Sequence, residues 1–341
     1  MGSVVQNDKN GASGAYGTAD TARTTPASRA ARRRAGIRGG IAMLALTAIG
    51  SGCVQGGGAE RGGGAGSPGP ESGAAAPPAG PADAADAADA RREQASRLRA
   101  ERTARIAAAW RWGLKKVPLT APAPPAQKPR ITTRDGFEVD DHEELGLPPV
   151  FTRIPTRQKV VFLTIDDGAE KDPAFLRMMS ELKVPYTAFL SDYVIDDDYA
   201  YFREMQKRGV TLNNHTLNHP YLPGLSYRKQ RHEICGMQEV LREKYGKRPA
   251  LFRPPFGNYN RDTLIAAKSC GVTYAPLWAE EVFVDRWEYR EWDRDLHPGD
   301  IVLSHFRGKG HWKGTMPDMI RRFLNKVTEK GYAVARLEDY L

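Results

Sequence analysis

From about residue 145 onward the chain alternates two kinds of segment. Continuous runs of apolar, β-branched residues, such as VVFLTID at 160–166, read as buried strands. Between them lie stretches with apolar residues at helical spacing. PAFLRMMSEL at 173–182 is one, with Asp172 placed to cap the first turn and Pro173 at the first helical position. The same reading predicts strands at 186–191, 210–215, 250–255, 272–278, 300–306 and 332–337. It predicts helices at 197–208, 226–245, 260–270 and 317–330, closed by Gly209, Gly246, Gly271 and Gly331. Strict alternation of this kind implies an α/β fold with a parallel sheet covered by helices. About seven such units imply a distorted (β/α) barrel, whose chemistry sits at the C-terminal ends of the strands. Asp166, Asp167, His215, Arg253 and His305 all fall at those ends.

The first third breaks the pattern. Residues 29–34 (RAARRR) form a strongly positive run, 41–49 (IAMLALTAI) a short apolar stretch, and small residues lead up to Cys53. Charge, apolar run and small-residue site together read as an export signal over 1–53, the apolar run being too short to span a bilayer comfortably. The setting of Cys53 is similar to a bacterial lipoprotein processing site, which would make it the lipidated residue. Ordinary cleavage, an uncleaved anchor or an incidental cysteine stay open. Residues 54–130 read as a disordered tether, low in complexity and Pro-rich at 121–129, with a basic segment at 91–113 that favours helix. That segment is expected to be a solvated spacer. A basic face meeting an anionic envelope polymer or lipid headgroups is the sharper alternative. Between Met1 and Arg130 the only aromatic residues are Tyr16, Trp110 and Trp112, too few to build a core. The single folded domain is therefore expected over 131–341.

Charge changes this picture little. The chain carries a formal +9, but from Phe151 to the end 30 Lys and Arg face 26 Asp and Glu. So near a balance gives weak support for a nucleic-acid surface, and none is expected as a partner. Cys235 and Cys270 are the cysteines left for the folded part; a disulfide and two buried thiols both fit.

The polar residues at the strand ends carry the chemistry. Neighbours on an extended segment point to opposite sides, so one of Asp166 and Asp167 can hold a metal while the other faces a bound water. His215 and His219 stand four apart in H-T-L-N-H, and Pro220 can bend the loop so that both reach one ion. One Asp and two His suit a divalent metal, Zn²⁺ first and Co²⁺ or a similar ion next, with positions left open for water and substrate. The segment lacks the Glu of H-E-x-x-H, which disfavours a zinc protease of that type.

Four motifs, TIDDG at 164–168, HTLNH at 215–219, RPPFG at 253–257 and LSH at 303–305, occur in the order and approximate spacing of the polysaccharide deacetylase family, the NodB-homology domain of carbohydrate esterase family 4. The chain resembles that family over about residues 155–341. The resemblance implies that Asp166 is the general base, that Asp167, His215 and His219 hold the metal, and that Arg253 holds the base carboxylate. It further implies an oxyanion hole at the main-chain N–H of Phe256, where the family usually has Tyr. Leu303 would line the pocket for the acetyl methyl with Pro255 and Trp278 nearby, and His305 would be the general acid.

Some residues depart from the family pattern. The segment before the last motif usually supplies an Asp that tunes the catalytic histidine; here Glu281 or Asp285 could serve. Phe306 replaces an Asp often found after that histidine. Trp287, Trp292 and Trp312 in the late loops could stack on sugar rings or simply pack. The expectation is a monomeric, extracytoplasmic, envelope-associated or secreted hydrolase that removes N-acetyl groups from an amino-sugar polymer, peptidoglycan or a chitin-like glycan. An O-acetyl esterase of the xylan type on the same metal centre, and a catalytically weak carbohydrate-binding member, are the alternatives.

Overall fold

The computed structural model describes residues 81–341, so the expectations for the export region, Cys53 and most of the low-complexity stretch lie outside the described residues. Residues 81–111 form a long helix, α1 (Pro81–Arg111). Its alanine, arginine and glutamate content favours helix. Through its middle it is exposed, Leu98 at 60%. Its last turns are not the solvated spacer the sequence suggested. Ala108 and Ala109, with Leu114 just beyond the helix, are buried in the main core. Arg105 donates to the carbonyl of Leu182, and the Trp112 indole donates to Glu181. The Pro-rich segment is tied down as well: Leu119 bridges to Ala333, and Gln158 donates to the carbonyl of Ala123. Small side chains let the helix approach closely, a contact that apolar spacing alone does not announce.

The sheet is built on β2 (Val160–Asp167), which pairs in parallel with β3 (Thr187–Leu190), β8 (Ile301–His305) and β9 (Ala333–Val334). The order runs β4 (Thr211–Asn214), β3, β2, β8, β6 (Glu280–Val282), β7 (Trp287–Tyr289), with β7 antiparallel to β6. A second, short pair joins β1 (Val150–Phe151) to β5 (Ala275–Pro276). Bridges Asn214–Phe252, Leu251–Tyr274 and Arg153–Asp300 connect these pieces around a distorted barrel. The strands expected at 250–255 and 272–278 shrink to those bridges and β5. Pro254, Pro255 and Pro276 have no N–H to give a ladder.

Flanking helices are α2 (Pro173–Leu182), a short α3 (Asp192–Ile195), α4 (Tyr199–Lys207), α5 (Tyr227–Tyr245), α6 (Arg261–Ser269) and α7 (Met316–Glu329). Asp172 caps α2 through the N–H of Ala174, with Pro173 opening the helix. Asn260 and Thr315 form capping boxes on α6 and α7. Cys235 on α5 and Cys270 after α6 are joined in a disulfide. Among the described residues no helix is long and apolar enough to cross a membrane.

Alternation along the central strands divides the interior in two. Val161, Leu163 and Ile165 of β2 face the helices, with Val302 of β8 and Phe323 of α7. Val160 and Phe162 face the inside of the barrel with Phe189, Leu251 and Ile301. Thr164 and Asp166 continue that inward row. Phe306, which stands where an Asp was expected, is fully buried on the helix side. It packs edge-to-face with Phe175 and Phe202, so it supplies core and not charge.

Candidate active site

Asp166 is paired in register with His305 of the neighbouring strand β8. Its side chain is almost fully buried, and its Oδ1 accepts from Arg253 Nη1 at 2.8 Å. Arg253 is itself wholly buried and held on every side. It donates to the hydroxyl of Thr164 and to the carbonyls of Pro276 and Leu277, with Phe189 and Trp278 against its guanidinium. A planar fork fixed in this way can orient one carboxylate oxygen and leave the other free. Burial raises the Asp166 pKa to about 6, against the opposing pull of Arg253 and His305.

By strict alternation Asp167 would point away from Asp166, toward the helices. It does not, because its φ of +78° takes it out of extended geometry and turns its carboxylate toward the same rim. Asp167 Oδ1 lies 3.5 Å from His219 Nε2 and 3.7 Å from His215 Nε2. Thr216, His219 and Phe256 also hold positive φ. Strain of this kind is tolerated where the surroundings over-determine it. Here they do: His219 N–H donates to the Thr216 hydroxyl, Ser191 to the carbonyl of His215, and Asn218 twice to Glu233. Gly168, at φ +103°, cannot be replaced cheaply. A β-carbon there would stand 2.4 Å from the Ile195 side chain.

His215 Nδ1–H donates to the carbonyl of Arg253 at 2.7 Å, which leaves the Nε2 lone pair facing the two aspartates. Such a bond to the remote nitrogen fixes the tautomer of a metal-binding imidazole. Burial, then His219, pushes the His215 pKa down to about 3, and burial lowers that of His219. Both rings are thus neutral ligands. Burial alone would raise the Asp167 carboxyl, but His305, His215, His219 and Arg307 together hold it below the ordinary carboxylate range. Asp167 Oδ2 accepts from Arg307, yet among the described residues nothing donates to its buried Oδ1. Single donor atoms of Asp167, His215 and His219 all lie within 4.8 Å of one another. A carboxylate oxygen without a donor, facing two neutral imidazoles, fits a divalent cation by its donor set. The three residues form a divalent-metal-binding site.

His305 Nδ1 stands 3.1 Å from Glu281 Oε1. Burial would lower its pKa, but the hydrogen bond and charge of Glu281, with Asp167 and Asp166, raise it to about 9. The two tuning carboxylates considered from the sequence are thereby separated. Glu281 faces the histidine. Asp285 is exposed and pairs with Arg286, so it is not brought to the site. Phe256 is half exposed beside His219, ring centroids 4.6 Å apart, at the mouth between Pro255 and Gly257. Leu303 and Pro255 are buried beneath, and Trp278 is half-buried against Arg253. Trp292 stands out in solvent at 92%, whereas Trp287 stacks on Phe323 and Trp312 packs edge-to-face with Phe283. Sequence reasoning missed Arg307, whose Nη2 donates to Asp167 Oδ2 at 2.7 Å. Its only sequence signal is a cation two residues beyond His305, in a loop rich in other cations.

The profile of the polysaccharide deacetylase family matches residues 153–275. An uncharacterized protein of Streptomyces coelicolor is 43% identical over 197 residues, covering 57% of this chain and 78% of that one. The peptidoglycan-N-acetylglucosamine deacetylase of Bacillus cereus is 26% identical over 204 residues, covering 55% and 91%. The solved structure of a peptidoglycan N-acetylglucosamine deacetylase superposes with a TM-score of 0.51 at 22% identity, over 60% of this chain and 97% of that one, which supports the fold.

Proposed function

This chain belongs to the polysaccharide deacetylase family, and on that premise we propose that it removes N-acetyl groups from an amino-sugar polymer of the cell envelope, peptidoglycan first and a chitin-like glycan second. The observation that carries the reading is the pairing of two differently tuned groups across one metal-binding triad. Asp166, held by Arg253, and His305, held by Glu281, flank Asp167, His215 and His219. Likeness to the Bacillus cereus deacetylase supports the choice of an amide on an amino sugar.

Each residue then has a task. Asp166, ionised above about pH 6, accepts the proton of the attacking water through the oxygen that Arg253 leaves free. His305, still protonated at neutral pH, gives its proton to the leaving amine. Phe256 N–H is the donor proposed for the developing oxyanion. Leu303, Pro255 and Trp278 form the apolar floor on which the acetyl methyl rests. A divalent ion on Asp167, His215 and His219, Zn²⁺ in our reading, supplies a water of lowered pKa and polarises the acyl oxygen when bound.

The positive run at 29–34, the apolar stretch at 41–49 and Cys53 support export and envelope attachment, which would bring the enzyme to a polymer outside the membrane. The segment 54–104 would then serve as its reach. The test is acetate release by the whole chain, loaded with Zn²⁺, from peptidoglycan fragments, chitin oligomers and acetylated xylan. Release from the amino-sugar substrates is expected. Release from xylan alone would overturn the amide reading in favour of an ester.

A further inference from the structure

The strand that supplies Glu281 also carries a carboxyl that the active site does not use. Glu281 faces the inside of the barrel, so its neighbour Glu280 faces the helix side of the sheet. Glu280 is buried, 1% exposed, and among the described residues neither of its carboxylate oxygens accepts a hydrogen bond. A buried acid left in that state must be satisfied by a proton or by a cation. Burial and the neighbouring Asp300 carboxylate push its pKa up to about 10, so without a cation it would hold a proton.

Protonated, Glu280 could donate to the neighbouring Asp300; ionised, it calls for a cation. Asp300, wholly buried at the foot of β8, accepts from Arg153 Nε on one oxygen and from the His297 N–H on the other. The His297 ring stands beside it, its Nδ1 3.4 Å from Asp300 Oδ2 and without a hydrogen-bond partner. Its Nε2 meets Asp293 at 3.0 Å. Tyr289, opposite Glu280 on β7, has a buried hydroxyl that is also unpartnered among the described residues. Glu280 and the His297 ring thus hold unsatisfied polar atoms beside Asp300. One donor atom each from Glu280, His297 and Asp300 lie within 4.8 Å of one another. The ligands of a single ion stand roughly 3–5 Å apart, so modest side-chain rotation would close the set. The His297 side chain is 30% exposed, which gives an ion a way in from solvent.

We propose that Glu280, His297 and Asp300 form a second divalent-cation site, separate from the catalytic triad and structural in role. Two carboxylates and an imidazole suit a first-row ion such as Zn²⁺ or Mn²⁺. Bound there, the ion ties β6 to the turn before β8 and so holds the strand from which Glu281 reaches His305.

The test counts metal and needs no substrate. The whole chain is stripped with a chelator, reloaded separately with Zn²⁺ and with Mn²⁺, desalted, and measured by mass spectrometry of the elements. With at least one of the two metals, two ions per chain are expected for the wild type. One is expected for His215→Ala/His219→Ala, and one for Glu280→Gln. His297→Ala, at a partly exposed turn, should also hold one, and it replaces Glu280→Gln if that variant does not fold. With both metals, a single ion in the wild type and none in the double histidine variant would overturn the proposal, leaving Glu280 as a protonated acid. A second ion that survives both Glu280→Gln and His297→Ala would place it elsewhere and overturn the proposal equally.

Discussion

Two clusters of acid and imidazole lie on opposite faces of the same sheet, and they differ in how their atoms are supported. At the barrel rim, His215 is tied to the carbonyl of Arg253, Asp166 to Arg253, His305 to Glu281 and Asp167 to Arg307. On the helix side, Glu280, Tyr289 and one nitrogen of His297 have no such ties. The rim is a site whose ligands are held in place before anything binds, which is what catalysis requires of its donors. The other cluster would be organised by what it binds. Adjacent residues make the contrast sharp: Glu281 meets His305, whereas both oxygens of Glu280 lack a donor among the described residues.

The largest effect expected from breaking this comparison is at Asp166. Asp166→Asn should lower acetate release about 10²- to 10⁴-fold while the triad keeps its metal. Loss of metal together with activity would instead make Asp166 a ligand.

Glu281→Gln comes next. The wild-type rate should rise through about pH 6 as Asp166 loses its proton and fall through about pH 9 as His305 loses its own. His305 is raised by Glu281, so removing that charge moves the alkaline limb to lower pH and leaves the acid limb near its place. A profile with an unmoved alkaline limb would contradict the role given to Glu281.

Glu280→Gln should change acetate release by less than about threefold, within the range of a residue that touches no reacting atom. It should abolish the extra thermal stability that Zn²⁺ confers on the double histidine variant. Melting curves with and without Zn²⁺ check this.

The smallest effect on catalysis is expected at the N-terminal helix junction. Leu114→Ala should cost about 2–4 kcal/mol of stability by leaving a cavity in the main core, with the pH profile unchanged. Leu98→Ala, on the exposed part of α1, should stay within about 0.5 kcal/mol. Denaturant melts distinguish the two, and equal effects would contradict the division drawn along α1.

Much of the rim could be read before the fold was seen, because strand ends are visible where an apolar run stops at a polar residue. TIDDG and LSH each follow such a run, and register then brings Asp166 beside His305. The capped start of α2 was equally legible, Asp172 and Pro173 being local signals. What escaped depends on distant partners. β6 and β7 read EEV and WEY, too short and too polar to show a period, and their pairing with β8 and with each other is what makes them strands. The register of Glu281 against Leu303, from which its side chain reaches His305, was hidden for the same reason. The turn of Asp167 toward its neighbour rests on a backbone angle that no residue type announces in a non-glycine. The docking of α1 rests on two alanines, whose small size matters only against a particular surface.

The central claim is that the rim cluster is a metal-dependent hydrolytic site. Its most direct test is acetate release from N-acetylated peptidoglycan fragments by the whole chain, first stripped of metal and then titrated with Zn²⁺. No release is expected from the stripped protein, with a rate that rises with Zn²⁺ and saturates as the Asp167, His215 and His219 triad fills. A stripped protein that releases acetate at the full rate would contradict it.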